Sequence, residues 1–427
     1  MAVLSLWRRT AKGIAEVCVV VLITLALLEA ALWLLASRNK SVAVMTASAL
    51  TDTLPDAALG SRLNPEYPGH DRDGFRNAAV LDRADLVAIG DSQTYGTNVQ
   101  MKQAWPQQIA ALGGETVYNM GVPGYGPVHY LMLTPHALAK KPAWVVTALY
   151  DGNDLYDSFR MVYLQNQMTD MASKDAAVLA AVRKAQAAEP IEDTVDRLSK
   201  IYDGDFHPSV GSWARSNPSL KSRMGAAIKT YSKTWNLLRS IRRIVLEKGA
   251  SSQAGLMGQM GWRSMKEKAS ASGGYWLPYE NGDAKTIFVP SYRQIGLEMG
   301  DPRIEEGARI SEEAMRRSDD EARAAQAKFA VLMVPTKELV FYEAFSGTGD
   351  ATMKALSVLV SQEIAFREQF KRDVCDKGIL CIDPVPALTD SLRKGSCPYP
   401  MDSDGHPNPI GHAILAEAVW KATGQSR

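Results

Sequence analysis

Five short apolar runs, separated by stretches of helical character, constrain this chain more than any other feature in it. They are Leu86–Ile89 (LVAI), Thr116–Asn119, Trp144–Tyr150 (WVVTALY), Lys328–Val334 (KFAVLMV) and Ile379–Ile382 (ILCI). Continuous apolar runs this short suit strands buried on both faces, the signature of a parallel sheet. Helical patterns between them include Gln103–Leu112 and Val128–Ala139. Strand and helix in alternation predict an α/β fold with a central parallel sheet. A length of 427 residues exceeds one minimal domain, so the chain holds two domains or one domain with a large insertion. The insertion is placed between the third and fourth runs, over residues 158–327, and reads as mostly helical. A net charge of +1 gives no global reason to expect nucleic acid as a partner.

The N-terminus carries a different signal. Val17–Ala36 reads VCVVVLITLALLEAALWLLA, broken only by Glu29. A run of roughly 20 apolar residues is long enough to cross a bilayer as a helix. Arg8, Arg9 and Lys12 precede it, which favours an inside N-terminus and an outside remainder. The run is longer than the apolar core of a usual cleaved leader, so residues 1–40 read as a tail and signal anchor in an inner membrane. Cleavage near Ala47-Ser48-Ala49 and a buried core helix are the competing readings. Residues 41–70 are polar and read as an irregular stalk. Cys375, Cys381 and Cys397 cluster near the C-terminus, and a domain outside the cytoplasm would allow one disulfide among them. The spacing leaves the pair open.

Within the insertion, Ala176–Ala188 is Ala-rich, Ala226–Lys248 is amphipathic, and Glu305–Lys328 reads as a charged, solvated helix. Ser270–Pro278 reads as a loop. A basic cluster around Arg242 and Arg243 is either a solvated helix face or a contact for anionic headgroups or an anionic glycan.

Four motifs stand beside the strand ends. Gly90-Asp91-Ser92 follows the first run, where an open α/β sheet places its ligands. A serine hydroxyl becomes a nucleophile once a base takes its proton; as an isolated motif, the same triplet also suits a helix N-cap. Asn119-Met120-Gly121-Val122-Pro123-Gly124 follows the second run and offers backbone N–H groups, with Gly124 favoured by register and Gly121 as the other choice. Gly152-Asn153-Asp154 follows the third, and the Asn153 amide is a donor. Ser92 N–H, Gly124 N–H and Asn153 together would form an oxyanion hole. Asp404-Gly405-His406-Pro407-Asn408 lies near the C-terminus. His406 is the general base and Asp404 its orienter, with Asp402 in reserve. His70, His129, His136, His207 and His412 lack an Asp in a comparable turn. An EF-hand reading of Asp151-Gly152-Asn153-Asp154 fails on its later ligand positions. No metal or organic cofactor is implied.

Together with DRDGFRN and VPTKE, these blocks resemble the SGNH/GDSL hydrolase superfamily, over residues 71–157 and 328–427. The resemblance implies a three-layer α/β/α sandwich with flavodoxin-like strand order. It implies Ser92 as nucleophile, Gly124 and Asn153 as oxyanion donors, and Asp404 and His406 as the rest of the triad. Two positions depart from it. Gln93 stands where an apolar residue is usual. The usual Asp-x-x-His is Asp-x-His, a spacing similar to alginate-type polysaccharide O-acetyltransferases. The resulting expectation is an anchored serine esterase facing the periplasm or exterior, acting on an acylated glycan or lipid. An O-acyltransferase of a surface polysaccharide and a non-catalytic glycan-binding scaffold are the alternatives. Tyr150, Tyr156, Tyr163, Tyr275 and Trp276 would line a sugar site or pack in core and loops.

Overall fold

The computed structural model describes residues 2–38, 42, 52–67, 69–203, 232–238 and 261–424. Strands β1 (Thr53–Asp56) and β2 (Gly60–Leu63) form an antiparallel hairpin. The main sheet holds β3 (Leu86–Gly90), β4 (Val117–Gly121), β5 (Trp144–Tyr150), β8 (Lys328–Val334) and β9 (Leu380–Ile382). A second hairpin pairs β6 (Leu277–Asn281) with β7 (Ala284–Phe288). The main sheet runs β4-β3-β5-β8-β9 with every pairing parallel. That is the expected flavodoxin-like order, with the topological switch beside β3.

Alternate residues on each strand enter opposite cores. Val87, Ile89, Val145, Leu149, Val331 and Met333 pack with the helices Pro127–Leu138, Asp154–Phe159 and Pro302–Ala324. Leu86, Ala88, Val146, Ala148, Ala330 and Leu332 pack with Trp105–Gly113, Lys337–Phe345 and Pro409–Gly424. Apolar residues at both parities of a strand require a helical layer on each face, because neither face tolerates water. The result is a three-layer α/β/α sandwich.

Three expectations change. Residues 53–63 are a hairpin, not irregular chain. Leu63 enters the main core and the Tyr125 hydroxyl donates to Ser61 O at 2.6 Å. Its short, polar-rich strands hid a two-residue alternation. The 158–327 stretch contains the β6–β7 hairpin, whose Leu277 and Pro278 fall inside the expected loop. The Pro302–Ala324 helix is not solvated on all sides: Ile304, Ala308, Ile310, Ala314 and Met315 are fully buried. Its Arg and Glu residues form ion pairs, such as Arg309–Glu306 at 2.7 Å, that flank this apolar stripe. Ala176–Ala188 is a helix as expected. Of the amphipathic stretch Ala226–Lys248, only 232–238 falls among the described residues, and Arg242 and Arg243 lie outside them.

Helix Ala2–Ala36 contains an apolar window, Val19–Ala36, with mean hydropathy 2.5 and length enough to cross a membrane. Cys375 and Cys381 form a disulfide, and Cys397 is free.

Candidate active site

Ser92 opens a short helix, Ser92–Tyr95, directly after β3. Asp91 caps that helix, its Oδ1 accepting from Gln93 N at 2.8 Å. The Ser92 N–H, at the first helical position, has no partner within the helix. Arg76 of the DRDGFRN segment donates to the carbonyls of Tyr95, Gly96 and Val99, and so fixes the far end of the helix. Asp71 of the same segment accepts from the Tyr118 hydroxyl at 2.7 Å and from Asn77 at 3.1 Å, tying it to β4.

Ser92, His406 and Asp404 meet, although 314 positions separate two of them. His406 Nε2 lies 2.7 Å from Ser92 Oγ. His406 Nδ1 lies 2.6 Å from Asp404 Oδ1, which also accepts the His406 backbone N–H at 2.9 Å. With Nδ1–H donating to the carboxylate, Nε2 is left as the acceptor facing the hydroxyl. Asp402 does a different job: its Oδ1 accepts from Asp404 N at 2.9 Å, shaping the turn.

Gly124 has φ +81°, a left-handed conformation that glycine adopts without cost, and no atom occupies the space a Cβ would take. Its carbonyl accepts from Arg160 at 2.9 Å. Gly121 is spoken for: its N–H donates to Asn119 Oδ1 at 2.8 Å. Asn153 Nδ2 donates one hydrogen to Asp157 at 2.6 Å, which orients the amide and leaves its second N–H. Asp157 in turn pairs with Arg160 at 2.8 Å.

Electrostatics follow from burial. Burial pulls the His406 pKa down, but the charge and hydrogen bond of Asp404, with help from Asp91, outweigh it, and the net shift is upward. Burial pushes Asp91 up to about 6, opposed by the Gln93 N–H and by His406. Asp154 is raised well above the ordinary carboxyl value by burial and by Asp91; it holds the Tyr150 N–H at 2.9 Å and the Tyr130 hydroxyl at 3.0 Å. His412 is buried, with its pKa lowered to about 3, and accepts from Trp105 N at 3.3 Å. His129 is likewise lowered to about 3 by burial and stacks on Tyr125. His70 bonds Asn64 O and the Tyr95 hydroxyl. These three serve the scaffold.

Two residues behind the His406 loop had no place in the sequence reading. Lys337 is fully buried, and its ammonium donates to Asp402 O and Asp404 O, both at 2.9 Å, and to Thr286 Oγ1 at 3.1 Å. Three acceptors satisfy its three donors. Arg293, from the helix Pro290–Leu297, packs against Gly405 with Glu338 3.9 Å from its Nε. The one available signal was VPTKE, where Thr-Lys-Glu closes an apolar run at a buried junction. Of the aromatic residues, Tyr150 is buried beside Arg293, Trp276 joins a satellite core, Tyr156 and Tyr163 are half-buried, and Tyr275 is exposed. No group of His, Cys, Asp and Glu among the described residues forms a metal site.

No protein-family model matches the chain, and none of the curated proteins does. Among solved structures, a catalytic mutant of the acetylxylan esterase Axe2 from Geobacillus stearothermophilus is 12% identical with a TM-score of 0.34, covering 81% of this chain and 96% of that one. A protein assigned to the G-D-S-L lipolytic family from Desulfitobacterium hafniense DCB-2 is 12% identical with a TM-score of 0.31, covering 79% and 98%. LAE5, an α/β hydrolase enzyme from the metagenome of Lake Arreo, Spain, is 13% identical with a TM-score of 0.28, covering 81% and 97%. No residue of this chain takes a role from these likenesses.

Proposed function

We propose that this chain is a membrane-anchored serine esterase of the SGNH/GDSL kind, with its catalytic domain on the periplasmic or outer side. The single observation that carries the chemistry is the continuous chain Ser92 Oγ–His406–Asp404, with links of 2.7 and 2.6 Å. Ser92 Oγ attacks the ester carbonyl carbon as its proton passes to His406 Nε2. Asp404 stabilises the imidazolium. The Ser92 and Gly124 N–H groups and the free Asn153 N–H receive the oxyanion. Collapse expels the alcohol, which takes the proton from His406. Water then attacks the acyl-enzyme by the same route and releases the acid. The apolar helix and the cations before it support the anchor, and the Cys375–Cys381 disulfide supports an oxidising compartment.

The substrate class we propose is an acylated glycan or lipid. The Asp404-Gly405-His406 spacing favours a second reading, O-acyl transfer, in which a sugar hydroxyl replaces water. A fluorophosphonate probe tests the shared first step. Labelling of the full-length protein that disappears in Ser92→Ala is expected; no labelling, or labelling that persists in the variant, refutes both readings. Acyl-donor turnover with and without oligosaccharide then separates water from sugar as acceptor.

A further inference from the structure

Glu29 is the one charged residue in the apolar run Val17–Ala36, and neither the fold nor the site accounts for it. A carboxylate inside a membrane span is costly unless something pairs with it. Here Trp33 Nε1 of the same helix donates to it at 3.2 Å, and the other partners come from the insertion. Glu29 accepts from the Lys233 backbone N–H at 2.5 Å, the Thr234 N–H at 3.0 Å and the Ser232 hydroxyl at 3.1 Å. The Lys233 ammonium lies 4.3 Å from the centre of the Trp33 ring, and Leu32 is buried.

Glu29 stands seven residues before Ala36, about 10 Å along a helix axis at roughly 1.5 Å per residue. A segment that bonds to Glu29 and reaches Trp33, three residues before Ala36, therefore lies about 5–10 Å beneath the boundary of hydrocarbon and headgroups. That segment is shaped for lipid. Trp235 is 44% exposed, Leu238 58% and Trp33 54%, while Asn236 is turned inward. Exposed tryptophan and leucine suit lipid just inside the boundary, where tryptophan concentrates, and a lysine stem reaches from there toward water. The sequence from Lys221 to Lys248 adds eight lysines and arginines against the single Glu247, a balance suited to anionic lipid.

We propose that residues 232–238 are a second membrane contact, in which Trp235 and Leu238 enter a phospholipid bilayer beside the anchor helix, with Glu29 as the latch. The inference rests on the anchored reading above. It holds the insertion down on the bilayer, so that the ester cleaved at Ser92 is one presented at the membrane surface.

The test uses the full chain in nanodiscs, with Cys18 and Cys397 replaced by Ser and an environment-sensitive fluorophore on Trp235→Cys or, separately, Leu238→Cys. Tyr275→Cys, exposed on the insertion, is the aqueous reference. The probes at 235 and 238 are expected to lose most of their fluorescence to a nitroxide lipid and to be several-fold less accessible to iodide than the probe at 275. Glu29→Leu is expected to restore iodide access. Phosphatidylglycerol in place of phosphatidylcholine is expected to deepen the quenching. Probes that co-migrate with the nanodisc yet stay as open to iodide as the reference overturn the proposal and leave the anchor standing. Shielding from iodide without lipid quenching also overturns it and assigns the face to a second copy of the chain. Protein that fails to co-migrate overturns both. Lipid quenching that survives Glu29→Leu overturns the latch.

Discussion

His406 is poised by two opposing effects. Burial favours the neutral ring, and Asp404 and Asp91 favour the charged one and win. As the proposed base it must be neutral to accept a proton, so kcat/KM is expected to rise with pH through an apparent pKa above the ordinary 6.5. Asp404→Asn removes the largest raising influence. It is expected to move that limb to lower pH and to reduce the rate by roughly 10⁴-fold, as loss of the orienting carboxylate does in serine triads. A pH–rate profile on a chromogenic acetate ester checks both; a limb that stays put in the variant refutes the assignment. In the proposed mechanism Asn153 acts on a different atom, the developing oxyanion. Asn153→Ala is expected to lower kcat by roughly 10²–10³-fold with little change in KM. A change confined to KM would mean that the amide binds ground-state substrate instead.

The His406 turn is held by elements from two distant stretches. Lys337, at the start of the helix after β8, and Thr286, on β7, meet at the carbonyls of Asp402 and Asp404. Lys337→Met keeps the volume and leaves those buried acceptors without a donor, at a cost of about 3 kcal/mol. Denaturant unfolding reads the loss, and turnover should fall with it because the turn carries both Asp404 and His406. Unchanged stability would show that the ammonium is not needed there. A second junction lies where Pro302–Ala324 crosses Asp154–Phe159, the helix that follows Asn153. A Cβ on Gly307 would stand 2.0 Å from Leu155 O, and backbone cannot yield that far. Gly307→Ala should therefore force the helices apart and cost about 1–3 kcal/mol. A melting temperature equal to that of the unaltered protein would contradict the contact.

At the scale of the molecule, the disulfide joins the turn Cys375–Lys377, which follows the helix Ala351–Asp373, to edge strand β9. It closes a loop of sequence separation 6. So small a loop removes little unfolded-state entropy, and reduction is expected to lower stability by about 2 kcal/mol. Unfolding with and without reductant measures it, with Cys375→Ala as the non-redox comparison. A loss near zero would place the bond outside the cooperative unit. The insertion and the sandwich also bear on one another, because the hairpin β6–β7 and the helix Pro290–Leu297 of the insertion pack against the loop that carries His406. A helical insertion read from sequence gave no hint of this support.

The amino-acid sequence by itself determined the parallel sheet and, through the resemblance, its strand order; it also singled out Ser92 and His406, whose side chains lie 2.7 Å apart, and Asn153, whose role is a proposal. Buried strands and the loops at their ends are written in local patterns of apolar and small polar residues, so they survive without knowledge of packing. It also marked Val17–Ala36 as long and apolar enough to span a membrane. The tertiary structure decided what depends on which group reaches which. Asp404 rather than Asp402 meets the imidazole, because the Asp402 side chain is consumed by the backbone of the same turn. Gly124 rather than Gly121 keeps an N–H to give, because Asn119 takes the other. Lys337, Thr286 and Arg293 gather behind the His406 loop, and Glu29 finds Lys233, across separations of tens to hundreds of residues. Such pairings follow from packing geometry, which no local pattern encodes.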